Sequence, residues 1–366
     1  MIQWRAGTVV RERAAWSGAV EYAVQVADTE VRALAYPELV GLPQPGDRVL
    51  LNVSALARGL GTGGLAMVVA VPDRLPPDPA PGPGHLVKAR YTPQQAMVLG
   101  VDEQDSPHHP VLAEADDLAR MPVVVADLHS AVPAVLAGLR DALPEARVAY
   151  VMTDGAALPL GFSRTVAGLR EAGWLAAAVT VGQSFGGDLE AVNVHTGLLA
   201  ARLVVRADVA VVAQGPGNLG TGTRWGFSGT SAGEAVNAAV TLGGRAVASL
   251  RVSQADPRQR HRGVSHHSRT AYARVALVPA DLPVPVLPGP IGALVRRQAE
   301  EVAAASGGRL TAYQVEVEGL LDALAASPVR LSTMGRGLAE DPAAFLAAAV
   351  AGRHAARLLS SGRGGP

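Results

Sequence analysis

The chain has 366 residues, 49% apolar and 17% charged, with Lys+Arg and Asp+Glu both at 32. Zero net charge argues against a protein devoted to wrapping nucleic acid or an anionic membrane, and the absence of cysteine excludes disulfides, thiolate metal sites, iron–sulfur clusters and a cysteine nucleophile. Roughly 150 residues per domain suggests two domains or one large one; with no signal-like N-terminus and no apolar run near the ~20 residues that span a bilayer, a cytoplasmic location is expected.

The N-terminal part reads as strands. Residues 20–26 alternate apolar and polar side chains, 29–36 repeat the pattern, and turns precede two further runs at 48–53 and 65–71. Short strands separated by turns predict a small β-barrel, with packing or oligomerisation as its expected role. Residues 72–84 are dense in proline and glycine, which forbids regular structure. The boundary is placed there, giving a barrel over 1–84 and an α/β domain over 85–366. Just beyond it, 87–91 reads as extended and Thr92-Pro-Gln-Gln95 as a capping box opening a helix.

From Met121 onward, apolar runs alternate with Ala/Leu-rich helical stretches. Strands are predicted over 123–126, 148–152, 176–181, 209–213, 246–251, 275–278 and 310–315. Helices are predicted over 131–143, 162–172, 189–204, 231–242 and 292–306, with a closing helix at 343–359. Such alternation predicts a Rossmann-like α/β fold, a mostly parallel sheet with helices on both faces. Gly-Phe-Ser occurs at 161–163 and 226–228, each before a helical stretch. Ser163 and Ser228 therefore read as N-caps, since neither has the G-x-S-x-G elbow of a serine nucleophile.

Ligands of open parallel sheets bind beyond the carboxyl ends of the strands, so the residues following each strand are the candidate site. Asp127 and His129 follow the first, Asp154 the second, Asp188 the third. Gly215-Pro-Gly-Asn-Leu-Gly-Thr-Gly-Thr223 follows the fourth. There Gly215, Gly217, Gly220, Thr221 and Thr223 could bring backbone amides against an anion. The loop is neither a Walker A sequence nor a full dinucleotide fingerprint. After the fifth strand, Asp256-Pro-Arg-Gln-Arg-His-Arg-Gly-Val-Ser-His-His-Ser-Arg269 concentrates positive charge. Arg258, Arg260 and Arg262 offer bidentate donors to phosphate or carboxylate, while His266 and His267 offer acid/base groups. A divalent metal is an open alternative, with His129, His195, His261, His266, His267, Asp127, Asp154, Asp188 and Asp256 as the N/O candidates. Against it, neighbouring His266 and His267 should diverge in a helix or strand. Lys88 is the only lysine in the chain, and a compact ammonium retained against that bias is expected to point into the cleft near Asp127 or Asp154 as base, nucleophile or ligand contact.

Several separated blocks carry a resemblance: Gly84-His-Leu-Val-Lys-Ala-Arg-Tyr-Thr-Pro93, Met152-Thr-Asp-Gly155, Phe185-Gly-Gly-Asp-Leu-Glu-Ala-Val-Asn193, Gly215–Thr223 and Gly263-Val-Ser-His-His267. The chain resembles, over nearly its whole length, a bacterial family catalogued as domain of unknown function 3866. That resemblance implies a bacterial protein and brings no activity. The residues themselves point to a hydrolase or group transferase acting on an anionic small molecule, such as a nucleotide or sugar phosphate. In this reading Asp127, His129, Asp154, His266, His267 and Lys88 serve as catalytic groups. The alternative is a non-catalytic nucleotide- or metabolite-binding sensor or interaction protein. No nucleic-acid or membrane partner is expected, and a homo-oligomer is left open.

Overall fold

The computed structural model describes residues 1–362. Five strands close a barrel: β1 (Trp4–Trp16), β2 (Ala19–Val26), β3 (Thr29–Ala35), β4 (Arg48–Asn52) and β5 (Ala66–Ala70), in the order β1-β2-β3-β5-β4. A short helix, α1 (Pro37–Val40), follows β3. Alternation along the strands turns Val20, Tyr22 and Val24 inward, where they meet Val49, Leu51 and Val68 in a core of their own. β1 pairs with both β2 and β4, and two register shifts against β2 bend it enough to do so. Residues 72–83 are exposed and form no regular element, as their proline content requires.

A hairpin of β6 (Leu86–Lys88) and β7 (Ala96–Val98) comes next. The expected helix after Thr92 does not form. Thr92 Oγ1 instead donates to the carbonyl of Ala89 at 2.7 Å, and Gln95 Oε1 accepts from the Tyr91 amide at 3.0 Å. The cap-like residues close the hairpin turn. A short helix, α2 (His109–Leu112), leads toward the sheet.

The large sheet contains β8 (Pro122–Val125), β9 (Val148–Thr153), β10 (Ala177–Val181), β11 (Leu189–Ala191), β12 (Val209–Gln214), β13 (Arg245–Ala248), β16 (Ala280–Val286) and β17 (Leu310–Glu316). Between β13 and β16 lies a small ribbon of β14 (Val252–Ser253) and β15 (Gly263–Val264). The spatial order is β11-β10-β9-β12-β8-β13-β16-β17, and every pairing is parallel. β8, β10 and β12 are buried throughout, as strands covered on both faces must be. On one face α3 (Val132–Ala142) packs against α9 (Leu320–Ala325) and α10 (Pro342–Gly362). On the other, α5 (Val194–Leu203) packs against α6 (Ser231–Thr241), and α8 (Gly289–Ala305) covers β16 and β17. The remaining helices are α4 (Arg164–Glu171) and α7 (His266–Thr270). Among the described residues no helix is long and apolar enough to cross a membrane.

The Rossmann-like reading with a preceding barrel holds, with three local corrections beyond the missing helix at Thr92. The helix predicted over 189–204 is split: β11 takes Leu189–Ala191, and α5 starts only after Asn193, whose Oδ1 accepts from the Thr196 amide at 3.0 Å. The strand predicted over 275–278 lies instead at Ala280–Val286, because Ala271–Val275 is one turn of π-helix. Pro283 and Pro285 in that strand lack an N–H, and its ladder to β13 is reduced to the single pair Val247↔Asp281. Ser163 caps α4 as expected, accepting from the Val166 amide at 3.0 Å. Ser228 caps nothing; it opens a short 3-10 turn and braces the glycine loop, accepting from the Leu219 amide and donating to Asn218 Oδ1.

Candidate functional site

All eight strands run the same way, so their carboxyl ends share one edge, and the barrel is docked beside it. Trp16 at the end of β1 donates Nε1 to the carbonyl of Gly161 at 2.7 Å. Behind that bond the backbones of Gly18 and Gly161 touch: a Cβ on Gly161 would lie 2.5 Å from the Gly18 carbonyl oxygen. Between barrel and sheet edge lies a cavity of about 650 Å³. Trp16, Arg32, Thr62, Gly63 and Leu65 form its barrel wall. The barrel thus walls the cavity as well as packing against the sheet edge.

The wall is strongly positive. Arg32, Arg164, Arg251, Arg258, Arg260 and Arg330 line it, together with His129, His261, His266 and His267, and no Asp or Glu does. Carboxylates stand behind some of these cations. Glu21 is buried beneath Arg32 and Arg164; Asp127 Oδ2 lies 3.7 Å from Arg251; Asp256 is gripped by Arg258 at 3.0 and 2.9 Å. The Arg258 hydrogen bond holds the Asp256 carboxyl far below the usual carboxylate range. Arg260 and Arg330, both exposed, have no ion pair among the described residues.

Three of the histidines are held neutral by their surroundings. Burial pushes His129 down to about 4, against a slight opposing pull from the backbone at Gln214. Burial, then Arg251 and Arg258, takes His261 to about 3. Burial and the neighbouring His267 take His266 to about 4. His129 sits in a directed relay. Tyr150 Oη lies 3.2 and 3.1 Å from the carbonyls of Ala213 and Gln214, to which it can donate. His129 Nδ1–H can then donate to Tyr150 at 3.0 Å, which leaves Nε2 to accept from Ser163 Oγ at 2.7 Å. Ser163 Oγ also receives the Val166 amide at the start of α4, an environment that favours negative charge on the oxygen.

His261, His266 and His267 form a second cluster, whose ring nitrogens lie within 4.8 Å of one another and so could hold a metal ion. The expected divergence of His266 and His267 is overturned. They occupy the first turn of α7 with ring centroids 4.3 Å apart, and Phe227 stacks flat on His267 at 3.8 Å. Two buried polar atoms in this region, Asp127 Oδ2 and His266 Nε2, have no hydrogen-bond partner among the described residues.

Of the residues expected in the site, Gly215, Gly217, Gly220, Arg258, Arg260, His129, His266 and His267 line the cavity, and Asp127 stands just behind it. Thr221, Thr223 and Arg262 do not line it. The threonines are spent on their own turn: Thr221 Oγ1 contacts Thr223 Oγ1, and Thr223 Oγ1 accepts from the Gly226 amide. Asp154, Asp188 and Lys88 also lie outside the cavity. Asp154 accepts from the Gln183 amide. Asp188 bonds Arg170 and the Ala178 amide. Lys88 is fully buried, with Nζ 3.0 Å from the Ala191 carbonyl and 3.3 Å from Glu190 Oε2, so it lies outside the cleft although within electrostatic reach of Asp154. Sequence reasoning missed Arg32, Arg164, Arg251, Arg330 and the contact of Ser163 with His129. Only Arg251, the last residue of a predicted strand, carried a positional signal.

The chain belongs to a family of proteins of unknown function (DUF3866), whose match covers residues 32–352. No curated protein and no solved structure matches it.

Proposed function

We propose that this DUF3866 member is an enzyme, a hydrolase or group transferase, that takes an anionic small molecule such as a nucleotide or sugar phosphate into the cavity between barrel and sheet. The observation that carries the reading is a wall with six arginines, four histidines and no carboxylate. Arg260 and Arg330 supply charge not already committed to an ion pair among the described residues, and Gly215, Gly217 and Gly220 border the same space. The cavity volume is that of a small-molecule site. His129, neutral at pH 7 and 2.7 Å from Ser163, serves as general base, with the serine hydroxyl as the proton donor in reach. That pair favours turnover over the alternative of a passive metabolite sensor, which needs contacts alone.

Calorimetry with inorganic pyrophosphate, a nucleoside triphosphate and a sugar phosphate tests it. At least one should bind, and Arg260→Ala or Arg330→Ala should weaken it by about tenfold or more, the loss of a charge-assisted contact worth about 1.5–3 kcal/mol. Binding equally strong in both variants, or none to any of the three, would overturn the anion site.

A further inference from the structure

We infer that His261, His266 and His267 form a binding site for one divalent transition-metal ion of zinc type, with Asp127 as the residue that orients His267. The ring nitrogens are already gathered within 4.8 Å of one another, although the residues come from two elements, the 3-10 turn Gln259–His261 and the first turn of α7. The β14–β15 ribbon returns the chain between them, and Ser265 fixes the spacing: its Oγ is 2.8 Å from His261 Nδ1 and accepts from the His267 amide. With Nδ1–H of His261 donated to that oxygen, its Nε2 is left with a lone pair.

Two further observations point to a cation. Among the described residues His266 Nε2 is buried without a hydrogen-bond partner, and so is Oδ2 of Asp127, a residue only 3% exposed. Buried polar atoms are normally satisfied; Asp127 Oδ2 is an electron-pair donor, and so is His266 Nε2 when its ring carries the proton on Nδ1. Asp127 Oδ2 lies 3.7 Å from His267 Nδ1, a position suited to the outer carboxylate that receives the second ring N–H of a metal-bound histidine. In the present arrangement Arg251 lies 3.0 Å from that Nδ1 and donates to it, which leaves the proton on Nε2. Ion loading would therefore shift the proton to Nδ1 and turn it to Asp127 Oδ2, with Arg251 giving up its own contact to that nitrogen. Arg251 keeps Asp127 as its partner, 3.7 Å away.

Three imidazoles without a thiolate suit zinc, cobalt or nickel better than magnesium or calcium, which prefer oxygen. Three protein ligands also leave a coordination position open, as in catalytic rather than structural zinc sites, and His261, His266 and His267 all face the cavity. An ion there would lower the pKa of bound water toward neutrality beside the arginine wall. The site stands whether or not that wall takes an anion.

Titration of the chelator-treated full chain with Zn²⁺ and Co²⁺, without any phosphate compound, tests this separately from anion binding. One equivalent should bind, and Co²⁺ should develop visible d–d absorption that Zn²⁺ abolishes. Asp127→Asn should weaken Zn²⁺ by roughly 10–100-fold, as loss of an outer partner does, and His266→Ala by more. His195→Gln, at an exposed histidine on α5, should change nothing. Absence of a saturable equivalent in the wild type overturns the site even if the variants fold poorly. So does binding that survives His266→Ala and Asp127→Asn with unchanged affinity.

Discussion

Lys88 shows why residue identity can be informative while its meaning is not. Its retention against an arginine-rich background signals a need for an ammonium, and the structure supplies the reason. Nζ is enclosed by the Ala191 and Thr180 carbonyls and Glu190 Oε2, at 3.0, 3.4 and 3.3 Å, a compact set of acceptors that a planar guanidinium cannot match. Burial pushes the lysine pKa down and the Glu190 pKa up, and each charge opposes the shift of the other. Glu190 is further held by Thr180 Oγ1 at 2.7 Å and the Gly186 amide at 2.7 Å. The pair therefore pins the β6–β7 hairpin to the β10–β11 edge of the sheet. Lys88→Met should cost about 3–5 kcal/mol, because it strands a buried carboxylate. Lys88→Arg should also destabilise, through overpacking. Urea unfolding measures both, and an arginine variant as stable as wild type would mean that the pocket is larger than its burial indicates.

Elements were legible where local chemistry decides them and obscure where packing does. Ser163 caps its helix through its own side chain, as read from the sequence, and the buried strands announce themselves as apolar runs. β11 is three residues long, too short to show a period, so an adjacent helical pattern absorbed it. The contact of α3 with α10 is a tertiary fact of the same kind. A Cβ on Gly138 would sit 1.9 Å from the Ala349 carbonyl oxygen, and one on Gly352 1.9 Å from that of Val135. The two helices thus meet backbone to backbone, each glycine opening the groove for the other. Helix propensity alone would make Gly138→Ala stabilising by about 1 kcal/mol. The expected outcome is the opposite sign, a loss of about 1–3 kcal/mol or more for either Gly→Ala change as the helices are forced apart. Chemical denaturation of the two single variants decides between propensity and packing.

At the scale of the whole molecule, the glycine loop and the Arg–His segment could be found in the sequence because a parallel sheet gathers strand ends on one edge. Arg32, Arg164 and Trp16 could not, since no local pattern encodes how a barrel docks. The docking centres on Glu21, 3% exposed on β2. It accepts from Arg32 at 2.7 Å, Arg13 at 3.1 Å and, across the junction, Arg164 at 2.5 Å. Arg164 also lies over the Trp16 ring at 4.0 Å. One carboxylate thus fixes two of the cavity arginines and couples the barrel to the site. The Arg32 hydrogen bond leads the causes that lower the Glu21 pKa from its ordinary 4.5, against the opposing cost of burial. With the folded value below the unfolded one, the unfolded chain takes up the proton first as pH falls. The stabilisation is therefore complete above 4.5 and is lost as pH drops through the lowered folded value. Glu21→Gln removes it and leaves three guanidinium groups facing one another, so the variant should melt below wild type at pH 7. The two melting curves should then converge as pH falls below 4.5 and through the lowered folded value, where the wild-type carboxyl is itself protonated. A gap that stays constant from pH 7 down through that value would assign the loss to packing and remove the carboxylate from its place as the hinge pin between barrel and cavity.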